Sequence, residues 1–323
     1  MTNLHRCDKI NGVTGNKLPA TEWMFMKTRA FILIVLAGIL WGTAPLFVEY
    51  LAPYGFTSLQ MTMSRSVIAV AIMIIYMLFK DIRLFAVKPL DLLLFAASGL
   101  SFVGAATLYY QSLQMTSSAT AVVLMYTAPV IVMFFSVLFL GERMTKLKCV
   151  SVIAMVIGCC LVSGIVGGLK FNLLGIIFGA LSGISYSVYN IVAKISMKRG
   201  ASPISATFYA FLSAMIASAF ISNPVGIAEN ISGNAPRVLP ILLLFGIATC
   251  ILPYFLYTVG MRDIPAGTAS SLAIIEPMAA TVLSAVFLNQ KPDVFTVIGI
   301  ILILGAVALL GRAERSEEIE KDK

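Results

Sequence analysis

Charged side chains make up only 12% of this 323-residue chain, about half the share found in soluble domains. A chain so short of charge cannot present an ordinary water-facing surface. Histidine occurs once, at His5, so a His-based triad and a buried metal site lack their main ligand, and neither metal nor cofactor is expected. The five cysteines (Cys7, Cys149, Cys159, Cys160, Cys250) are odd in number and scattered. They form neither a metal-ligand spacing nor a disulfide framework, and read as small apolar residues. No GxxxxGK[ST] loop occurs, so the chain encodes no nucleotide motor. Sparse acids argue against an intramembrane enzyme. The longest loop outside the apolar runs, about 222–237, is too short for the extramembrane domain of a scaffold or sensor.

What is abundant is apolar: 59% of residues are hydrophobic and the mean hydropathy is +0.95. Runs of about 20 apolar residues, each enough to cross a hydrocarbon core, recur along the whole length. The helical pattern excludes a β-barrel and gives an all-α polytopic membrane protein embedded in a lipid bilayer. Hydropathy places ten spans near 31–51, 60–79, 90–112, 118–140, 147–164, 172–193, 203–221, 238–259, 265–287 and 293–311. One set of alternate loops carries ten basic residues: Lys80, Arg83, Lys88, Arg143, Lys146, Lys148, Lys194, Lys198, Arg199 and Arg262. The other set carries Lys170, Arg237 and Lys291. The positive-inside rule puts the richer set and both termini in the cytoplasm, in the cell membrane. The net charge of +8 is therefore topology, and no nucleic-acid partner is expected. Residues 1–28 are polar and irregular, and read as a disordered tail. Translation from Met1, Met24 or Met26 fits equally, and the first span reads as uncleaved. Residues 312–323 read as a short, solvated cytoplasmic end.

The two halves match at a nearly constant offset. A shift of 145 pairs Gly38 with Gly183, Trp41 with Tyr186 and Gly55 with Gly200. A shift of 148 pairs Tyr109 with Tyr257, Thr120 with Thr268, Pro129 with Pro277 and Phe139-Leu140 with Phe287-Leu288. Five spans per half is an odd number, so the second half enters the membrane from the opposite side. Inverted repeats of this kind characterise secondary transporters, with the solute site between the halves near the midplane.

The stretches TAPVIVMFFSVLFLGERMT (Thr127 to Thr145), EPMAATVLSAVFLNQKP and ILWGTAPLF resemble the EamA family of the drug/metabolite transporter superfamily. The likeness covers about residues 29–311. It implies ten transmembrane helices in two inverted five-helix repeats, 29–164 and 172–311, and transport of small metabolites, often as efflux. One departure shows: Gly141-Glu142 ends the fourth helix of the first repeat, whereas the second has Asn289-Gln290 where the family usually shows a glycine and an acid. Both positions are helix ends, so the fold reading stands.

Glu276 sits eleven residues from either end of its span. A central acid costs about 2.5–3.5 kcal/mol on insertion scales, so it must face protein or a water cavity. Pro277 beside it frees the carbonyl near Ala273 and bends the helix, and Pro129 repeats the bend in the other half. Glu276 either binds a cationic group or a proton, or serves the groups freed by the kink. With no cation beside it, it is a candidate proton carrier. Arg65, six residues inside the second span, snorkels outward or binds a substrate carboxylate or phosphate through its planar fork.

Gly38, Trp41, Gly42, Pro45 and Glu49 share a helix face, as do Gly183, Tyr186, Ser187, Asn190 and Lys194 in the second half. These faces line a cavity or, through Gly175, Gly179 and Gly183, pack helices closely. Glu49 and Lys194, near opposite surfaces, are interfacial anchors or gates. Among the aromatics Tyr109, Tyr110, Tyr126, Tyr189, Tyr254 and Tyr257, the deeper Tyr126 and Tyr189 join Trp41 and Tyr186 as candidate solute contacts. An aromatic cage with one acid suits a quaternary amine. An amino acid would use Arg65 for its carboxylate and Glu276 for its amine. The expected partners are thus a small-molecule substrate, the bilayer and protons; a homodimer is compatible.

Overall fold

The computed structural model describes residues 20–116, 118–163, 172–289 and 292–321. Among them every regular element is helical. In chain order these are α1 (Ala20–Trp41), α2 (Ala44–Leu51), α3 (Ser58–Lys80), α4 (Pro89–Met115), α5 (Ser118–Met125), α6 (Ala128–Leu140), α7 (Lys146–Val162) and α8 (Leu173–Lys198). Then follow α9 (Pro203–Ala219), α10 (Pro224–Ser232), α11 (Ala235–Gly246), α12 (Leu252–Asp263), α13 (Ala266–Leu272), α14 (Ile275–Phe287) and α15 (Val294–Lys321).

Eight helical stretches are long and apolar enough to cross a membrane: Phe25–Tyr54, Ser58–Lys80, Pro89–Met115, Thr120–Leu140, Leu173–Lys198, Ala235–Asp263, Ala266–Phe287 and Val294–Ser316. The expected span 203–221 appears as α9, which qualifies only together with α10, bent from it by 92°. The expected span 147–164 appears as α7, only 17 residues long. Bulky side chains such as Phe79, Phe139 and Phe220 stand exposed on the outside, as a lipid-facing surface requires and a water-facing one does not.

Proline sets the internal breaks. Three membrane-length stretches are interrupted by two residues just before Pro45, Pro129 and Pro277, at Gly42-Thr43, Tyr126-Thr127 and Ala273-Ile274. A proline cannot donate to the carbonyl one turn back, so that carbonyl needs another donor. At the third break the Glu276 backbone N–H takes over, donating to Ala273 O at 2.9 Å. At the first two, Thr43 Oγ1 and Thr127 Oγ1 each donate 2.7 Å to a nearby carbonyl, Leu40 O and Leu124 O.

Glycine lets the broken helices be approached closely. A Cβ on Gly42 would lie 2.6 Å from Ala279 Cβ, so α1 presses directly on α14; one on Gly179 would lie 2.6 Å from Leu124 Cδ1, so α8 presses on α5. In each half the helix that opens the repeat packs against the proline-broken span of the other half. The glycine stripe of α8 is therefore a packing face.

The Lys/Arg-rich loops gather at one end. Ser205 Oγ and Tyr209 Oη donate to Leu84 O and Phe85 O, Arg199 pairs with Asp91 at 2.8 Å, and Lys198 Nζ donates to Leu140 O at 2.7 Å. At the other end Gly55 lies against Asn230.

One expectation about the termini is corrected and one refined, the C-terminal end being helical with Arg312, Arg315 and Ser316 exposed as read but Glu314 buried. Residues 20–28, read as part of a disordered tail, form the first turns of α1, because an apolar helix extends readily through good helix formers such as Glu22 and Met24. The end read as solvated continues α15 to Lys321. There Glu314 is buried and paired with Lys148 Nζ at 2.8 Å, which offsets its desolvation. The readings of residues 1–19, Lys170, Gln290, Lys291 and 322–323 fall outside the described residues.

Candidate functional site

Part-way along the helices, α1, α2, α3, α4, α5, α8, α12 and α14 enclose a cavity of about 190 Å³. Of the seven candidate solute contacts in the sequence (Trp41, Arg65, Tyr126, Tyr186, Tyr189, Asn190 and Glu276), its wall includes Trp41, Arg65, Tyr126, Tyr186 and Glu276, together with Phe102, Tyr109 and Tyr254. The break before Pro277 delivers Glu276 to this wall. Its backbone N–H serves the freed carbonyl, and its side chain lines the cavity together with Tyr126.

Arg65 turns inward: its guanidinium lies 5.1 Å from the Phe102 ring centre and 5.9 Å from that of Phe245. Such stacking holds the planar fork in place. Among the described residues no direct ion pair joins Arg65 to Glu276, although their charges attract across the cavity. Arg65 Nε and Trp41 Nε1 are both buried with no hydrogen-bond partner. Leaving a buried donor unmade costs about 1–3 kcal/mol, and more for a charged one. Two such donors on one cavity wall, beside a carboxylate, form a polar receptor lined with aromatic rings.

Tyr189 and Asn190 lie behind this wall. Tyr189 stacks on Tyr186 at 6.1 Å. Asn190 is fully buried, donating to Tyr186 O at 2.7 Å and accepting from the Tyr257 hydroxyl. They hold Tyr186 and Tyr257 in position.

The face shared by Gly38, Trp41, Gly42, Pro45 and Glu49 does not survive the break at Gly42-Thr43. Past it Pro45 and Glu49 are exposed, because the two-residue break rotates α2 relative to α1, and Ala44 reaches the cavity instead. In unbroken α8 the corresponding face holds together down to Lys194. That ammonium is buried and donates to Met261 O at 2.6 Å and Ile264 O at 2.5 Å, a cation on the carbonyl end of α12. One turn on, the Glu142 carboxylate accepts from Ala266 N at 2.8 Å and Gly267 N at 3.4 Å, at the start of α13. The turn between α12 and α13 is thus clasped from both sides.

Tyr109 and Tyr254 received too little weight in the sequence. Tyr109 is near a span end by hydropathy, but α4 runs on to Met115 and leaves it at cavity depth. Tyr254 follows a π-helical turn at Ile247–Ile251, a wide turn that resets which face points inward. The 148-residue shift that matches Tyr109 with Tyr257 also matches Ala106 with Tyr254, and both line the cavity. That alignment was a usable signal.

Membrane-length helices closing over a buried receptor that carries both signs of charge are the build of a membrane transporter. The comparisons with known proteins agree. The chain belongs to the EamA-like transporter family, which matches residues 28–164 and 173–312 as two repeats. A Clostridium kluyveri protein named as an uncharacterized transporter is 25% identical over 307 residues, 91% of this chain and 96% of its own. One from Archaeoglobus fulgidus, named likewise, is 28% identical over 291 residues, 86% and 95%. A crystal structure aligns with a TM-score of 0.73 over 90% of this chain and 99% of its own; at 19% identity it speaks for the fold alone.

Proposed function

We propose that this transporter is a secondary carrier that exports a small polar metabolite of the amino-acid type across the cytoplasmic membrane, by alternating access and with proton coupling through Glu276. The observation that carries the reading is the pair of unpartnered donors, Arg65 Nε and Trp41 Nε1, in the same wall as the Glu276 carboxylate. A solute carrying a carboxylate and an ammonium satisfies all three at once. A quaternary amine would use the rings and Glu276 but leave both donors unmade and place its charge near Arg65, so the zwitterion is favoured.

The architecture proposed is ten crossings in two inverted five-helix repeats, with both termini cytoplasmic. At 1.5 Å per residue a 17-residue helix such as α7 or α9 spans about 25 Å, at the short limit for a crossing. The close contacts of α1 with α14 and of α8 with α5 support the inverted pairing. The breaks before Pro45, Pro129 and Pro277 are the bending points. Lys194, tied to α12, is the closed cytoplasmic gate, and exposed Glu49 belongs to the opposite gate.

The test loads proteoliposomes with mixed amino acids and quaternary amines and follows release with and without a pH gradient. Wild type should release an amino acid faster under the gradient, and Glu276→Gln should lose that acceleration. Equal responses in both proteins would refute coupling through Glu276.

A further inference from the structure

Beneath the receptor, toward the Lys/Arg-rich end, lies a second and smaller void of about 20 Å³ between α4, α8, α9 and α12. Space of that size holds about one water molecule. Ser98, Ser196, Thr207 and Thr258 give it hydroxyls, and no charged side chain lines it. Thr207 is buried and its Oγ1 has no partner. A tightly packed, apolar helix seam has no reason to retain an unpaired hydroxyl facing a gap.

Two side chains, Phe102 and Tyr254, line both this void and the receptor. Tyr254 meets four rings: Trp41 at 4.9 Å, Phe211 at 5.0 Å, Phe102 at 5.5 Å and Tyr189 at 5.8 Å. These contacts form an aromatic layer between the two spaces, at the residues they share. Below it, Lys194 fastens α8 to the end of α12, and those two neighbouring helices together form one wall of the void.

We propose that the void is the collapsed form of a cytoplasm-side vestibule and that Tyr254 is the septum between it and the receptor. The inference rests on the transport reading above. When the α8–α12 wall parts, the vestibule takes the solute through hydroxyl hydrogen bonds alone. Its walls offer no counter-charge, so an ion carrying net charge would enter it unpaired, at a large desolvation cost. The vestibule therefore selects solutes of zero net charge. The receptor, with Arg65 and Glu276, would by itself accept a wider set.

The test places a cysteine in the void, Thr207→Cys, with Ser98→Cys on the opposite wall as the second variant should the first fail to fold. Full-length protein in right-side-out and inside-out vesicles is treated with a membrane-impermeant methanethiosulfonate. Labelling is read at the introduced residue by peptide mass spectrometry, which separates it from the native cysteines. The cysteine should react from the cytoplasmic face whenever the α8–α12 wall parts, and at least about tenfold more slowly from outside, because the Tyr254 septum stands between it and the receptor. Adding Tyr254→Ala should raise the outside rate about tenfold or more, by removing the septum. Reaction from neither face, or from outside at the same rate with Tyr254 intact, would overturn the vestibule.

Counterflow in the same vesicles, with labelled alanine, lysine, glutamate and choline as probes, keeps the two readings apart. Movement of alanine but not of lysine, glutamate or choline supports the neutral filter; movement of lysine, glutamate or choline overturns it. Normal counterflow without cytoplasmic labelling defeats the vestibule and spares the transporter. Cytoplasmic labelling without movement of any probe defeats the amino-acid reading and spares the vestibule.

Discussion

Arg65 and Glu276 are the two charged groups in the receptor wall, and the rings around them fix what each can do. Stacked between Phe102 and Phe245, the Arg65 fork offers a carboxylate a planar pair of donors, which a lysine ammonium cannot reproduce. Arg65→Lys keeps the charge and should still weaken solute binding by roughly 10–100-fold, the equivalent of about 1.5–3 kcal/mol for a hydrogen bond to a charged group. Trp41→Phe removes only a neutral donor and should cost about 1 kcal/mol, roughly fivefold. Solute-dependent thermal stabilisation of the purified protein measures both. No loss in either variant would mean that neither donor reaches the solute. Arg65 and Glu276 were legible in the sequence because a charge in an apolar run demands a reason. That the two share one cavity was not, because they lie more than 200 residues apart in the chain.

At the scale of elements, glycine and proline decide how the helices meet. Gly42→Val puts a side chain where Ala279 Cβ already stands 2.6 Å away. It should lower stability by about 1–3 kcal/mol, the usual cost of overpacking. Gly104→Ala meets only Ser185 Oγ at 3.6 Å, an ordinary contact, and should leave the melting temperature nearly unchanged. Thermal unfolding in detergent compares them; similar losses would show that α1 and α14 are not the tight seam. Lys194→Met removes the donor that binds Met261 O and Ile264 O. Freed of that clasp, the α12–α13 turn should open more often, and the Ala266 and Gly267 amides should exchange about 5–150-fold faster, the range of a 1–3 kcal/mol bias between states. Unchanged exchange would leave Lys194 a packing residue and remove it from the gate. The sequence offered Lys194 as an anchor or a gate. The carbonyls it binds come from 67 and 70 residues away, so only the fold could name them.

For the whole molecule, the distribution of basic loops and the three-dimensional grouping of those loops are independent statements that coincide. Arg199 with Asp91, Lys198 with Leu140 and Ser205 with Leu84 bind one end together, while Gly55 and Asn230 meet at the other. Reporter fusions after Ala86, Met144 and Gly200 should therefore report the cytoplasm, and fusions after Gly55 and Gly233 the opposite side. A cytoplasmic signal from Gly55 or Gly233 would overturn the proposed ten-crossing topology.

The sequence by itself determined the class, the near-positions of the helices, the breaks at Pro129 and Pro277 and the family, because these depend on local quantities: apolar length, proline, and charge per loop; the break before Pro45 it did not give. It misplaced the ends of the first and last helices, since the burial of Glu314 against Lys148 is a distant pairing that composition cannot report. The tertiary structure decided which side chains share the receptor, separated Glu49 from Trp41, and gave Tyr254 its place among four rings. Each of these follows from the rotation of one helix against another. A two-residue break or one wide π turn resets that rotation, and no repeating pattern in the sequence carries across it.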